Sequence, residues 1–194
     1  MKKFISILGS TGSVGLTTLS IIDKKKNLFQ PYLFSANKNY SLINAQIKKY
    51  NPKYFIINDS NTFKKIKKKF KNSKTKILNN FNLINSTKKA DITISAIPGI
   101  AGLEPTTILI KSSKKILIAN KESVICGWNI IKKLALKHNT KIIPIDSEHF
   151  SIYKLLKKHK FNEIKKIFIT ASGGPFAGYK LKQLININPK KALK

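Results

Sequence analysis

Two carboxylates, Asp146 and Glu148, stand two residues apart in the stretch Pro144-Ile145-Asp146-Ser147-Glu148-His149. Alternate residues of an extended segment face one way, so the pair can reach a single hard cation such as Mg²⁺ or Mn²⁺. The same residues also suit a helix start, with Asp146 or Ser147 as N-cap and Glu148 in the first turn of a helix through Leu156. Residue types alone leave the two readings level. A second cluster is Gly9-Ser10-Thr11-Gly12-Ser13-Val14-Gly15, set between an apolar run at 4–8 and a helically spaced stretch at 16–22. Strand, glycine turn and helix in that order suit a dinucleotide pyrophosphate. Glycines let the backbone come close, and the helix N-terminus offers unpaired N–H groups. The spacing G-x-x-G-x-x-G also fits an ordinary strand-to-helix turn. A third cluster is Thr170-Ala171-Ser172-Gly173-Gly174-Pro175-Phe176, where glycine N–H groups beside the Ser172 hydroxyl suit a substrate phosphate or make a plain turn.

The surrounding elements decide how these groups can meet. Apolar runs at 4–8, 32–36, 52–58, 76–78, 91–97, 115–119, 141–145 and 167–169 read as strands. Stretches at 41–50, 63–70, from Pro105 onward, from about 120 to His138, and to Leu156 read as helices. Strands alternating with helices predict an α/β fold, a doubly wound parallel sheet of the Rossmann type. Its ligands belong at the carboxyl ends of the strands, where the loops 9–15, 36–39, 97–102 and 119–123 all fall. The second of these loops bears on cofactor choice. An NAD site places an acid near the end of the second strand, but no Asp or Glu lies between Asp23 and Asp59. Asn37, Lys38 and Asn39 would instead neutralise and hydrogen-bond a 2′-phosphate, which favours NADPH, although lysine is common throughout the chain.

Composition narrows the classes. The 194 residues are 42% hydrophobic, and no apolar run approaches the roughly 18 residues of a membrane span. Residues 1–3 lead straight into the first strand, so no targeting segment is expected, and the single cysteine, Cys126, suits a reducing cytoplasm. The net charge of +30 raises a polyanion-binding alternative. All 38 basic residues are lysine, however, and they are spread over nearly every surface segment. Base and phosphate readers lean on arginine's bidentate fork, so a specific nucleic-acid role is not expected. Cys126 has no activating histidine beside it, and Trp128, His138 and His159 read as packed or solvated helix residues.

Five blocks in order carry a family resemblance. They are the glycine stretch from Ile7 to Gly15, then Ala96-Ile97-Pro98-Gly99-Ile100-Ala101-Gly102-Leu103, Ala119-Asn120-Lys121-Glu122-Ser123, the Asp146 block and the Ser172 block. Together the chain resembles the N-terminal part of the 1-deoxy-D-xylulose 5-phosphate reductoisomerases. The resemblance implies NADPH-dependent rearrangement and reduction of that sugar phosphate to 2-C-methyl-D-erythritol 4-phosphate, in bacterial cytoplasmic isoprenoid synthesis. It implies an NADPH-binding domain over 1–141 and the start of a catalytic domain over 142–194. It assigns Thr11, Gly12, Ser13 and Val14 to the pyrophosphate and Asn37, Lys38 and Asn39 to the 2′-phosphate, Asn37 standing where many members have glycine. Asn120 and Glu122 would line the nicotinamide side. Lys121, Ser147, Glu148 and Ser172 would hold substrate, and Asp146 and Glu148 a divalent metal (Mg²⁺, Mn²⁺ or Co²⁺), with Lys121 and both carboxylates catalytic. Members of the family are expected as homodimers and run to roughly twice this length. The further half would supply a third metal-binding glutamate, a flap over the substrate and a helical domain. An inactive cofactor-binding remnant is the alternative the length raises.

Overall fold

The computed structural model describes residues 1–83, 89–169 and 174–192. Its contacts divide the chain into two compact units, Met1–Asp146 and Ser147–Lys194. The first is built on seven strands: β1 (Lys3–Leu8), β2 (Phe29–Ala36), β3 (Tyr54–Ile57), β4 (Lys76–Leu78), β5 (Ile92–Ser95), β6 (Lys115–Ile118) and β7 (Lys141–Pro144). All pair in parallel in the order β4-β3-β2-β1-β5-β6-β7. The strand order therefore reverses beside β1 and β5. A crevice opens at such a switch point because the loops leaving the two strands run off in opposite directions.

Helices connect the strands: α1 (Ser13–Lys24), α2 (Tyr40–Tyr50), α3 (Ser60–Lys69), α4 (Leu103–Ile110) and α5 (Lys121–His138). Side-chain alternation along the strands builds two layers of core. Ile5, Ile7, Phe34, Phe55 and Ile57 pack with Leu19, Ile22, Ile43, Ile47 and Ile66 of α1, α2 and α3. Their neighbours Leu8, Leu33, Tyr54 and Ile56 face the opposite side with Leu109 of α4. Ile116 and Ile118 pack with Ile110, Ile131 and Ala135 of α4 and α5. The doubly wound α/β architecture expected from the sequence is what forms.

Local chemistry sets the differences in detail. β2 starts before Pro31, which sits at a register irregularity: Ile5 pairs with Pro31 but Ser6 with Leu33. Proline has no N–H to give the ladder, so the skipped residue absorbs the defect. α3 starts at Ser60, three residues earlier than the apolar spacing suggests. The Asp59 carboxylate accepts from Thr62 N at 2.7 Å and caps it. The amino end of β1 is pinned by Asp91, whose carboxylate accepts from Phe4 N and from Lys114 Nζ, both at 2.8 Å.

The second unit contains α6 (Ser147–Leu156), α7 (Leu181–Leu184) and α8 (Pro189–Ala192). The strand expected at 167–169 does not form: Ile167, Phe168 and Ile169 are exposed and join no ladder. Strand propensity is realised only beside a partner strand, and none of the described residues supplies one there. No described residue beyond Thr140 is fully buried.

Candidate functional site

The turn after β1 is shaped by backbone and side chains together. Gly9 N and Ser10 N donate to Ser35 O at 3.1 and 2.8 Å, and Gly12 N donates to Gly9 O at 3.1 Å. Gly9 has φ of 82°, a left-handed conformation that favours glycine, and a Cβ there would lie 2.8 Å from Ala96 O. Gly15 lies in the first turn of α1. A Cβ there would come within 2.7 Å of both Ser10 backbone carbons and nearer still to Gly9 O, so helix and turn touch backbone to backbone. Gly12 differs: it is exposed, and an added Cβ would make only an ordinary contact, 3.5 Å from Gly9 O.

Gly12 is also the N-cap of α1, and no side chain caps the helix. Helix geometry leaves the N–H groups of Ser13, Val14 and Gly15 without intrahelical acceptors, and the helix dipole adds positive potential there. Ser13 and Val14 are exposed, and Thr11 is half-buried. A cleft of about 490 Å³ adjoins this turn. Gly9, Thr11 and Gly12 line it with Ser35, Ala36 and Asn37 after β2 and Asn58 after β3. The segment after β5 closes it with Ala96, Ile97, Pro98 and Ala101. Its mouth therefore lies at the carboxyl ends of β1, β2, β3 and β5.

Beyond Asn37, Lys38 and Asn39 are exposed. The Asn39 side chain accepts from Leu42 N at 3.1 Å and caps α2, while Lys38 O accepts from Tyr40 N and Thr62 Oγ1. Asp59, at the start of α3, lies close enough to Lys38 for their charges to interact. The N–H of Thr62, then its hydroxyl, hold the Asp59 carboxyl below the usual range, with the Lys38 charge a smaller contribution.

At the other side of the cleft, Asn120 is buried and its side chain is fully engaged within the protein. Its Oδ1 accepts from Ser123 N at 2.9 Å, capping α5, while Nδ2 donates to Gly99 O at 2.7 Å and also to Ile97 O. Asn120 thus fastens the 97–99 segment to the start of α5. Lys121 and Glu122 follow it, exposed, in the first turn. Gly102 faces Asn120 so closely that a Cβ would meet its amide nitrogen and Ile97 O at under 3.0 Å.

Asp146 follows β7, half-buried, and Ser147 opens α6. Within α6, Ser147 Oγ donates to Glu148 Oε2 at 2.9 Å, and Glu148 is half-buried. Among the described residues no three His, Cys, Asp or Glu side chains gather as a metal cluster. Ser172 lies outside the described residues. Residue types had not singled out Ser35, Asn58 or Gln46. The position of the first two at strand carboxyl ends was the available signal.

Comparison with known proteins follows the same outline. The family model for 1-deoxy-D-xylulose 5-phosphate reductoisomerase matches residues 5–127, and that for the family's C-terminal domain matches 142–194. The enzyme of that name from Pelagibacter ubique is 48% identical over 198 aligned positions, covering 100% of this chain and 51% of its own length. That of Wolbachia pipientis wMel is 42% identical over 194, covering 100% and 49%. The structure of the Zymomonas mobilis enzyme in complex with NADPH superposes with a TM-score of 0.82 at 30% identity, covering 100% of this chain and 52% of that one. A DOX-P reductoisomerase with NADPH, fosmidomycin and magnesium gives 0.80 at 31%, covering 99% and 50%. The chain spans about half the length of the curated relatives it matches. With both family models matched in order along a sheet of the same topology, the chain belongs to the 1-deoxy-D-xylulose 5-phosphate reductoisomerase family.

Proposed function

We propose that the chain binds NADPH and carries the first metal and substrate ligands for converting 1-deoxy-D-xylulose 5-phosphate to 2-C-methyl-D-erythritol 4-phosphate, a step of isoprenoid biosynthesis. The observation that carries this is the uncapped N-terminus of α1 beside a glycine-lined cleft at the sheet's switch point. The cofactor fits what is present. The N–H groups near Ser13 and Val14 meet the pyrophosphate with Thr11, and Gly12 leaves room for close approach. Asn37, Lys38 and Asn39 take the 2′-phosphate, Lys38 by charge and Asn39 while capping α2. Asn120 contributes by holding the 97–99 segment against the nicotinamide side, and Glu122 lies one residue into α5 beyond Lys121. NADPH supplies the hydride that reduces the rearranged carbonyl.

The division of labour proposed is cofactor binding over 1–141 and catalysis from 142 onward. Asp146 and Glu148 provide hard oxygen donors that fit Mg²⁺, Mn²⁺ or Co²⁺, with Ser147 orienting Glu148 through its hydrogen bond. A divalent ion held there would chelate the substrate's oxygens and polarise its carbonyl. Lys121, Ser147, Glu148 and Ser172 hold the sugar phosphate, Lys121 by its charge. No helix among the described residues is long and apolar enough to cross a membrane. A cytoplasmic setting, a homodimer in full-length members and no specific nucleic-acid partner belong to the same reading. Because the chain offers two carboxylates, water competes strongly for the ion, and these 194 residues by themselves turn over little substrate. The test is oxidation of NADPH with the sugar phosphate and Mn²⁺. Addition of the C-terminal half of a relative should raise turnover, and Asp146→Ala should abolish the gain. NADPH oxidation unaffected by Asp146→Ala would refute the assignment.

A further inference from the structure

Gln46 sits inside α2, 4% exposed, and its side chain reaches Ser10, 0% exposed, in the turn after β1. Ser10 Oγ donates to Gln46 Oε1 at 2.6 Å, and Gln46 Nε2 donates to Ser10 O at 2.9 Å. One amide thus engages both the hydroxyl and the carbonyl of one residue, so the contact fixes orientation as well as distance. Ser10 is tied in turn to Ser35 O through its N–H at 2.8 Å. A buried, doubly hydrogen-bonded amide has one low-energy placement, since any slide of α2 leaves polar atoms unpaired away from water.

The position of this contact gives it a consequence. Ser10 lies two residues before Gly12, the cap of α1, where the pyrophosphate N–H groups begin. Gln46 lies on the helix capped by Asn39, about 10 Å along its axis from that cap at 1.5 Å per residue. A cofactor with a 2′-phosphate presents two anionic groups at a separation fixed by its covalent skeleton. A protein that holds its two subsites at a matching separation gains from linking them, because engaging one places the other at high effective concentration. The described side chain that joins the turn directly to α2 through hydrogen bonds is Gln46.

We propose that Gln46 is a positioning residue that sets the spacing between the turn at the start of α1 and the 37–39 segment at the start of α2, and thereby favours NADPH over ligands that engage only one of the two. The inference rests on the NADPH reading above. It differs from a general structural role in what it predicts for partial ligands. NADH engages the pyrophosphate turn without the 2′-phosphate subsite, and adenosine 2′-monophosphate engages the 37–39 subsite without the pyrophosphate turn.

The test is titration of the purified 194-residue chain, wild type and Gln46→Met, with NADPH, NADH and adenosine 2′-monophosphate. Methionine keeps the length and apolar bulk and removes both hydrogen bonds. The expected result is about tenfold weaker NADPH binding, with NADH and the monophosphate each unchanged within about twofold. Equal weakening of all three would make Gln46 a structural residue only and overturn the proposal, as would unchanged NADPH affinity. Ser10→Ala removes the hydroxyl half of the contact from the other side and should give the same pattern at about threefold. It carries the test if Gln46→Met does not fold. Should wild type bind NADPH no better than NADH, the cofactor reading itself fails. A wild-type preference left intact in both variants sinks the Gln46 proposal alone.

Discussion

The two glycines at the start of α1 make a matched pair of perturbations with opposite consequences. In an isolated helix, replacing glycine by alanine stabilises by at most about 1 kcal/mol. At Gly15 the added methyl would meet Gly9 O and both backbone carbons of Ser10 at under 3.0 Å. Those atoms cannot rotate away, because Ser10 is held by Ser35 and Gln46. Overpacking against fixed backbone costs about 3 kcal/mol at the upper end of its usual range, so the net loss for Gly15→Ala is about 2 kcal/mol. For a chain of this size that corresponds to a melting temperature lower by about 4–8 °C. Gly12→Ala meets nothing closer than 3.5 Å, at a φ of −82° that any residue adopts. Its melting temperature should stay within about 2 °C of wild type. On the proposed assignment of Gly12 to the pyrophosphate, the methyl would obstruct close approach, so NADPH affinity should fall at least tenfold. Thermal melts by circular dichroism and cofactor titration by fluorescence read the two effects separately. A raised melting temperature for Gly15→Ala would show that the turn yields to the helix. Unchanged NADPH affinity in Gly12→Ala would remove the close-approach argument.

If the Lys38 charge serves the 2′-phosphate, as proposed, Lys38→Met should weaken NADPH about tenfold and leave NADH within about twofold, a difference worth about 1.4 kcal/mol. Asn120→Ala removes the α5 cap and the hold on the 97–99 segment. Urea titration should show a loss of about 1–2 kcal/mol, accompanied by weaker NADPH binding. Asp91 is acid-sensitive: the Lys114 ammonium and then Phe4 N–H, against partial burial, hold its carboxyl below the usual carboxylate range. Its contribution is fully present above the unfolded value of about 3.9 and is lost as pH falls through the lower folded value. Asp91→Asn should therefore cost about 1 kcal/mol at neutral pH, with the gap to wild type closing in acid. A constant gap from pH 7 down to pH 3 would contradict this.

The parallel sheet and its flanking helices were legible in the sequence because they rest on local periodicity. Runs such as Tyr54 to Ile57, buried on both faces, can only be central strands, and the glycine spacing marks a turn whose backbone touches that of the helix after it. Chain boundaries were less legible where a single side chain decides them, as Asp59 does for α3. The segment at 167–169 has strand composition without strand structure, since its type depends on a partner that composition does not encode. At the site, the turn residues Gly9, Gly12 and Gly15 stand out from their spacing. Gln46 does not, because its partner Ser10 is 36 positions away. Asn120 was named as a cofactor residue. That its amide is spent on Ile97, Gly99 and Ser123 is a property of the folded loop alone.

Calorimetric titration of the purified chain with NADPH and NADH, at one salt concentration, bears most directly on the central claim. The account predicts NADPH binding at least tenfold tighter than NADH, with Gly12→Asp abolishing both. Equal or tighter NADH binding would contradict the assignment of Asn37, Lys38 and Asn39. Absence of both, alongside salt-sensitive nucleic-acid binding that survives Gly12→Asp, would instead make the +30 charge the functional feature.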